Sequence, residues 1–456
     1  MTNLILDTDS YKMSHFLGYP LGTTEMYSYL ESRGGRYDST VFFGLQPILD
    51  RLAQGITPDD VKQARFFAEK HGVPFNEDGW NDIAYRLNGK LPVEILAVPE
   101  GTIVPTRNVL ATIRNTDPKH AWLTSYLETM LLRVWYPTTV ATRIYNMKQA
   151  IRPFFDRTSD NYDGLPFALL DFSSRGVSSL ETSQIGGAAY LAHFLGSDNV
   201  PAVDYVNKNY DSEMSGFSVP ATEHSIMCAY GGENEFSSFE QLVDRMGMEG
   251  GILSVVSDTW NIFRAVEMWV RLADKIKAKN LTLVVRPDSG EIRDVLPHVI
   301  KTISEGFGTT KNSKGFGVIN NAKILWGDGI NEDTVTEAFK IAEEMGISAD
   351  SIITGSGGGL MQANIDRDTC KFAVKGSNVI VDGDSRGISK SPITDQGKES
   401  KRGKMSLLAG SGGQLYTSCV SDDVFGDKNI LRPVFRNGEV LSRTSIDDVR
   451  KTIEEQ

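Results

Sequence analysis

Three aspartates stand in short polar segments that directly follow apolar runs: Asp258 in Ser257-Asp258, Asp288 in Arg286-Pro287-Asp288-Ser289-Gly290, and Asp328 in Gly327-Asp328-Gly329. Carboxylates suit ribose hydroxyls or the water shell of a magnesium ion, and the Arg286 guanidinium suits phosphate through a bidentate fork. Any one of these aspartates alone reads equally well as a helix cap, but capping is a weaker account of all three. A fourth apolar run ends in Gly355-Ser356-Gly357-Gly358-Gly359. Its bare backbone N–H groups are able to converge on a phosphate, with a tight turn as the competing reading. Asp171-Phe172-Ser173-Ser174-Arg175-Gly176 offers a flat ring for stacking and a cation for an anion, unless Phe172 is simply core. His224 is either a hydrogen-bonded structural histidine or a chemical group. Lys390, Lys398, Lys401, Arg402 and Lys404 crowd a late segment that either grips diphosphate or a nucleoside triphosphate tail, or is a solvated loop.

These groups need elements to position them. Strand-like runs at residues 252–256, 281–285, 324–326 and 351–354 alternate with helical periodicity at 261–278 and 334–345. Strands alternating with helices imply parallel pairing, and polar residues at the carboxyl ends of such strands are where a β/α barrel places its site. The expected fold is α/β: a barrel-like domain over 141–361, and a second, mixed α+β domain built from 1–140 and 362–456. The flanks carry shorter strand-like runs and glycine turns such as Lys375-Gly376-Ser377 and Asp382-Gly383-Asp384.

The chain has 456 residues, 40% of them hydrophobic, enough to bury the cores of two or three domains. A net charge of −12 argues against extensive nucleic-acid or anionic-membrane binding, since both require a basic field. Any phosphate must therefore be held by local positive clusters. The apolar runs are strand-sized, and the first residues lack a secretory pattern, so a cytoplasmic location is expected. Cys228, Cys370 and Cys419 lie far apart without CxxC spacing, which points to core packing and away from zinc or disulfides.

Taken together, the motifs closely resemble the nicotinamide phosphoribosyltransferases, of the type II phosphoribosyltransferase family. The resemblance runs in order through Asp9-Ser10-Tyr11-Lys12, Tyr27-Ser28-Tyr29, Val98-Pro99-Glu100-Gly101, Asn115-Thr116-Asp117-Pro118, Trp135-Tyr136-Pro137, Arg175-Gly176-Val177-Ser178-Ser179, Val256-Ser257-Asp258, the Arg286 motif and the glycine run. It implies a homodimer with shared sites, in which Phe172 and Tyr11 of the partner subunit sandwich the nicotinamide ring and Asp198 accepts from the carboxamide N–H. A carboxylate at 198 would repel nicotinate. The same resemblance assigns Arg175 and Arg286 to phosphate or the ring amide, Gly327 and Asp328 to ribose, and Gly357, Gly358 and Arg367 to the 5′-phosphate. Asp258 and Asp288 would meet ribose hydroxyls or magnesium-bound water. Arg33, Lys375, Lys390, Lys398 and Lys404 of the partner subunit would close over pyrophosphate or ATP, and His224 resembles a phosphorylated histidine that couples ATP hydrolysis to synthesis.

The implied reaction joins nicotinamide to the ribose of phosphoribosyl pyrophosphate, with Mg2+ as cofactor, ATP as co-substrate and no side-chain nucleophile at the sugar. Direct metal ligands are not specified. Departures from the family pattern are Ser173-Ser174 in place of Gly-Tyr, Lys404 in place of Arg, and one extra residue between Gly359 and Arg367. The rival readings are a nicotinate phosphoribosyltransferase and a non-catalytic ligand sensor on the same fold.

Overall fold

The computed structural model describes residues 3–394, 399–420 and 424–456. Lys398 lies outside them. The chain divides into two compact units, one made of residues 1–142, 208–212 and 364–456, the other of 143–207 and 213–363.

The first unit is built on a seven-stranded antiparallel sheet in the order Asp384–Gly387, Phe372–Val381, Thr23–Ser32, Val109–Asn115, Val93–Ala97, Arg432–Arg436, Glu439–Val440. Three strands from the first part of the chain form its centre and two from the last part flank them on each side, and its core carries the fully buried Tyr29, Trp80 and Phe435. Two of these strands, at ten residues each, are as long as any described, so the expectation of short flanking runs is corrected. Lys375-Gly376-Ser377 is not a turn: it lies within Phe372–Val381, where the register shifts opposite Tyr27 and Ser28. A glycine at a bulge looks like a turn until its partner strand is known. Asp382-Gly383 is a turn, with both residues at positive φ (52° and 87°), as a two-residue hairpin connection requires.

The second unit carries a five-stranded parallel sheet in the order Leu169–Asp171, Ile352–Ser356, Ala322–Trp326, Thr282–Arg286, Ile252–Val256. Parallel strands need covered faces, and helices such as Ile262–Arg271, Ile292–Phe307 and Glu337–Glu344 supply apolar stripes for this. Single parallel bridges continue the order from Asp171 to Ser197, from Gly196 to Phe217, and from Ala221 to Ser254, carrying it from one edge strand round to the other. All five strands therefore present their carboxyl ends on one side. Cys370 is buried, but Cys228 and Cys419 are exposed, which corrects the packing role expected of those two.

Candidate active site

Every strand of the parallel sheet hands a sequence-selected residue to its carboxyl end: Asp171 leads to Phe172, Val256 to Asp258, Arg286 to Asp288, Trp326 to Gly327 and Asp328, Ser356 to Gly357 and Gly358. Because the strands are parallel, these loops share one rim.

Phe172 is held by its N–H donating to the Ser356 carbonyl at 2.9 Å. Its ring lies against Gly355, where a Cβ would fall 2.3 Å from Phe172 Cε2, so residue 355 has to be glycine for the ring to sit there. The Arg286 guanidinium stands over the same ring, 5.5 Å from its centroid, a cation–π contact of about 0.5–1 kcal/mol. Arg286 Nε is buried and finds no hydrogen-bond acceptor among the described residues. Beneath the strand, the Asp171 carboxylate accepts from Ser173 N at 2.8 Å and Ser197 Oγ at 3.2 Å, while its carbonyl accepts from Asp198 N at 3.0 Å. One buried residue thus joins the loops of Phe172 and Asp198. The Asp198 carboxylate is exposed and accepts from Ser218 Oγ at 2.5 Å.

Phe172, Asp198, Phe217, Ser218 and Arg286 line a cavity of about 550 Å³ that continues past Ser254, Val284, Leu325 and Ile353 to Lys323 and Asp350. That volume is in the range of small-molecule sites. Burial holds the Lys323 ammonium below its usual value, with Asp350 opposing the shift.

His224 reaches the rim because Thr222 is tied to the Ile252–Val256 strand: its N–H donates to Ser254 O at 3.0 Å and its hydroxyl accepts from Val256 N at 3.1 Å. His224 Nε2 then lies 3.1 Å from Asp258 Oδ1, and Ser289 Oγ donates to Asp258 Oδ2 at 2.5 Å. Asp258 is only 4% exposed, whereas His224 is 46% exposed. Within this chain each Asp258 oxygen meets one side chain, His224 on one side and Ser289 on the other. Asp288, 3.5 Å from Arg286, is 30% exposed and remains open. Arg175 is exposed and 3.8 Å from Glu223.

The glycine loop is fitted tightly. A Cβ on Gly358 would lie 2.3 Å from Gly176 O, whereas one on Gly357 would meet nothing. The Gln362 side chain donates to Gly176 O at 3.0 Å and accepts from Ser178 N at 3.1 Å, binding this loop to the Arg175 loop. The helix that follows, Gly359–Gln362, is a single turn, so its free N–H groups matter more than any macrodipole.

Tyr11, Arg33, Lys375, Lys390, Lys404 and Arg367 belong to the first unit. There Arg33 Nε donates to Glu31 at 2.8 Å, Lys404 pairs with Glu25 at 2.9 Å, and the exposed Arg367 pairs with Asp368 at 2.9 Å. Burial depresses the Lys375 ammonium, and neighbouring Arg33, Lys390 and Lys12 add to the effect while Glu128 opposes it. Cations crowded in this way favour an anionic ligand. Among the described residues, no group of three or more His, Cys, Asp and Glu side chains is placed to hold a metal ion, and no helix is long and apolar enough to cross a membrane. Ser197, Ser218, Ser289 and Gln362 were invisible in the sequence, because each acts on a residue whose nearness only the fold creates.

A glycine loop, strand-end carboxylates and an aromatic-lined cavity thus meet at the carboxyl ends of one parallel sheet, where α/β enzymes bind small molecules. Residues 167–439 match the nicotinate phosphoribosyltransferase (NAPRTase) family, and residues 3–95 match the nicotinamide phosphoribosyltransferase N-terminal domain. The chain belongs to the NAPRTase family and is a phosphoribosyltransferase, a pentosyl-transferring enzyme. It is 46% identical over 458 residues to a nicotinamide phosphoribosyltransferase of Xanthomonas campestris pv. campestris, covering 99% of this chain and 98% of that one. It is 29% identical to a nicotinamide phosphoribosyltransferase of Acinetobacter baylyi, with 98% and 96% covered. Among solved structures, nicotinate-nucleotide pyrophosphorylase from Pyrococcus furiosus aligns with a TM-score of 0.63 at 16% identity, over 100% of this chain and 95% of that one. Human nicotinic acid phosphoribosyltransferase aligns at 0.60 and 16%, over 98% and 93%. At that identity the two structures speak for the fold alone.

Proposed function

We propose that this enzyme makes nicotinamide mononucleotide and pyrophosphate from nicotinamide and phosphoribosyl pyrophosphate in NAD salvage, with ATP hydrolysis coupled through a phosphohistidine at His224. The observation that carries this reading is that a carboxylate, Asp198, and a guanidinium, Arg286, line the same cavity as the Phe172 ring. A neutral carboxamide satisfies both: its N–H donates to Asp198 and its oxygen accepts from the Arg286 guanidinium. Nicotinate would satisfy Arg286 but repel Asp198.

In this reading Phe172 and Tyr11 of the partner subunit hold the ring, Gly327 and Asp328 meet the ribose, and Arg175, Gly357, Gly358 and Arg367 meet the phosphates. Arg33, Lys375, Lys390, Lys398 and Lys404 of the partner subunit meet the pyrophosphate or ATP. The ribose carbon becomes cation-like as pyrophosphate leaves, so the chain's task is to hold the ring nitrogen in line and to stabilise the departing anion. Magnesium supplies charge neutralisation of that anion when bound. Such an ion keeps most of its water and needs only one or two carboxylates, which suits the open Asp288.

The test is product formation from phosphoribosyl pyrophosphate and magnesium with nicotinamide or nicotinate, each with and without ATP. Wild type is expected to prefer nicotinamide. Asp198→Ala is expected to raise the nicotinamide KM by roughly ten- to a hundredfold, the loss of one hydrogen bond to a charged group. Preference of wild type for nicotinate would overturn the ring assignment, and Arg286 is the observation that would then explain it. No product from either ring would favour the ligand-sensor reading.

A further inference from the structure

The long helix Trp135–Thr158 brings Arg143 beneath the rim, where the residue is 5% exposed. Its two terminal nitrogens donate to the carbonyls of Gly359 at 3.1 Å and Ala363 at 2.9 Å, the first residue of the turn that follows the glycine loop and the residue that ends it. Its Nε lies 3.6 Å from Glu332 Oε2. Glu332 stands a few residues after Gly327-Asp328-Gly329. One planar fork therefore links two loops that come from neighbouring strands, by two hydrogen bonds to carbonyls on one side and by an ion pair without a hydrogen bond on the other. None of these contacts is needed to close the sheet, whose strands are joined by their own backbone bonds.

We propose that Arg143 is a positioning residue for phosphoribosyl pyrophosphate: it fixes the spacing between the glycine loop that meets the 5′-phosphate and the Gly327-Asp328 loop that meets the ribose. The inference rests on the proposed reading of those two loops. A sugar phosphate must satisfy both loops at once, so a spacing error weakens its capture. The ring subsite, built from Phe172, Asp198 and Arg286, does not depend on this fork. Lysine keeps the charge but offers a single nitrogen, which cannot serve both carbonyls and Glu332 together.

Steady-state kinetics of wild type, Arg143→Lys, Glu332→Gln and the double variant, with thermal unfolding of each, test this. Arg143→Lys is expected to raise the phosphoribosyl pyrophosphate KM about tenfold while moving the nicotinamide KM by less than about twofold, the effect of one lost charge-assisted hydrogen bond. Glu332→Gln is expected to give a smaller rise in the same KM, and the double variant less than the product of the two, because both act through one fork. If both KM values rise equally, or if stability falls while the phosphoribosyl pyrophosphate KM stays unchanged, Arg143 is only structural and the inference fails. Should Arg143→Lys not fold, the KM split of Glu332→Gln decides alone. An inactive wild type would instead overturn the phosphoribosyl reading itself.

Discussion

His224 turns Nε2 toward Asp258, and a carboxylate at 3.1 Å favours the proton on that nitrogen, leaving Nδ1 with the lone pair. Ser289 holds the far oxygen of Asp258, so the carboxylate cannot swing away from the ring. For a phosphoryl acceptor this is a nucleophile with an orienting base partner. His224→Ala is therefore expected to eliminate acid-labile label from γ-labelled ATP. Asp258→Asn should lower the labelling rate by on the order of a hundredfold, the scale of a positioned acid–base partner. Label retained in the His224 variant would place the phosphoryl acceptor elsewhere. Asp258 stood out in the sequence because aspartates and glycines recurred after apolar runs, whereas His224 drew its chemical role only from the family resemblance. Ser289, Gln362 and Arg143 carried no such signal: an arginine in a helix names no partner, and Ala363 lies far along the chain from Arg143.

At the level of elements, four of the five parallel strands were legible because buried parallel strands are continuous apolar runs, and each run ended where the polar rim begins. The antiparallel sheet was less legible. Its pairs join residues such as Tyr29 and Lys375, so neither strand reveals its register alone. Two predictions belong here. Gly355→Ala places a methyl against the Phe172 ring and is expected to raise the nicotinamide KM several-fold by displacing it, with less effect on phosphoribosyl pyrophosphate; competitive kinetics would reveal the split. The second concerns Asp171, where burial raises the carboxyl above its ordinary value near 3.8 and the Ser173 and Ser197 hydrogen bonds pull it partly back. A carboxyl that holds its proton more tightly when folded adds stability below its unfolded value and loses it as pH rises through the raised value. Asp171→Asn, having no such loss, should therefore gain in Tm relative to wild type as pH goes from about 4 to 7. A difference independent of pH would show that Asp171 acts only through its hydrogen bonds.

For the whole molecule, the decisive question is whether one chain can complete a site by itself. Phe172, Asp198 and Arg286 belong to one compact unit, whereas Tyr11, 57% exposed, and the crowded cations around Lys375 belong to the other. In the proposed dimer, the ring site of one subunit is completed by Tyr11 and the cations of the partner subunit. Two inactive proteins should then rescue each other. At nicotinamide concentrations low enough that Tyr11→Ala and Asp198→Ala are each nearly inactive, a hybrid dimer has one site carrying both lesions and one carrying neither. Unfolding and refolding an equal mixture makes half of the dimers hybrid, with one intact site in each, so about a quarter of wild-type activity is expected. The same mixture combined without subunit exchange should stay inactive. Recovery near zero after refolding, with hybrids demonstrated by differential tagging, would mean that each chain supplies its own Tyr11 and that the shared-site reading is wrong.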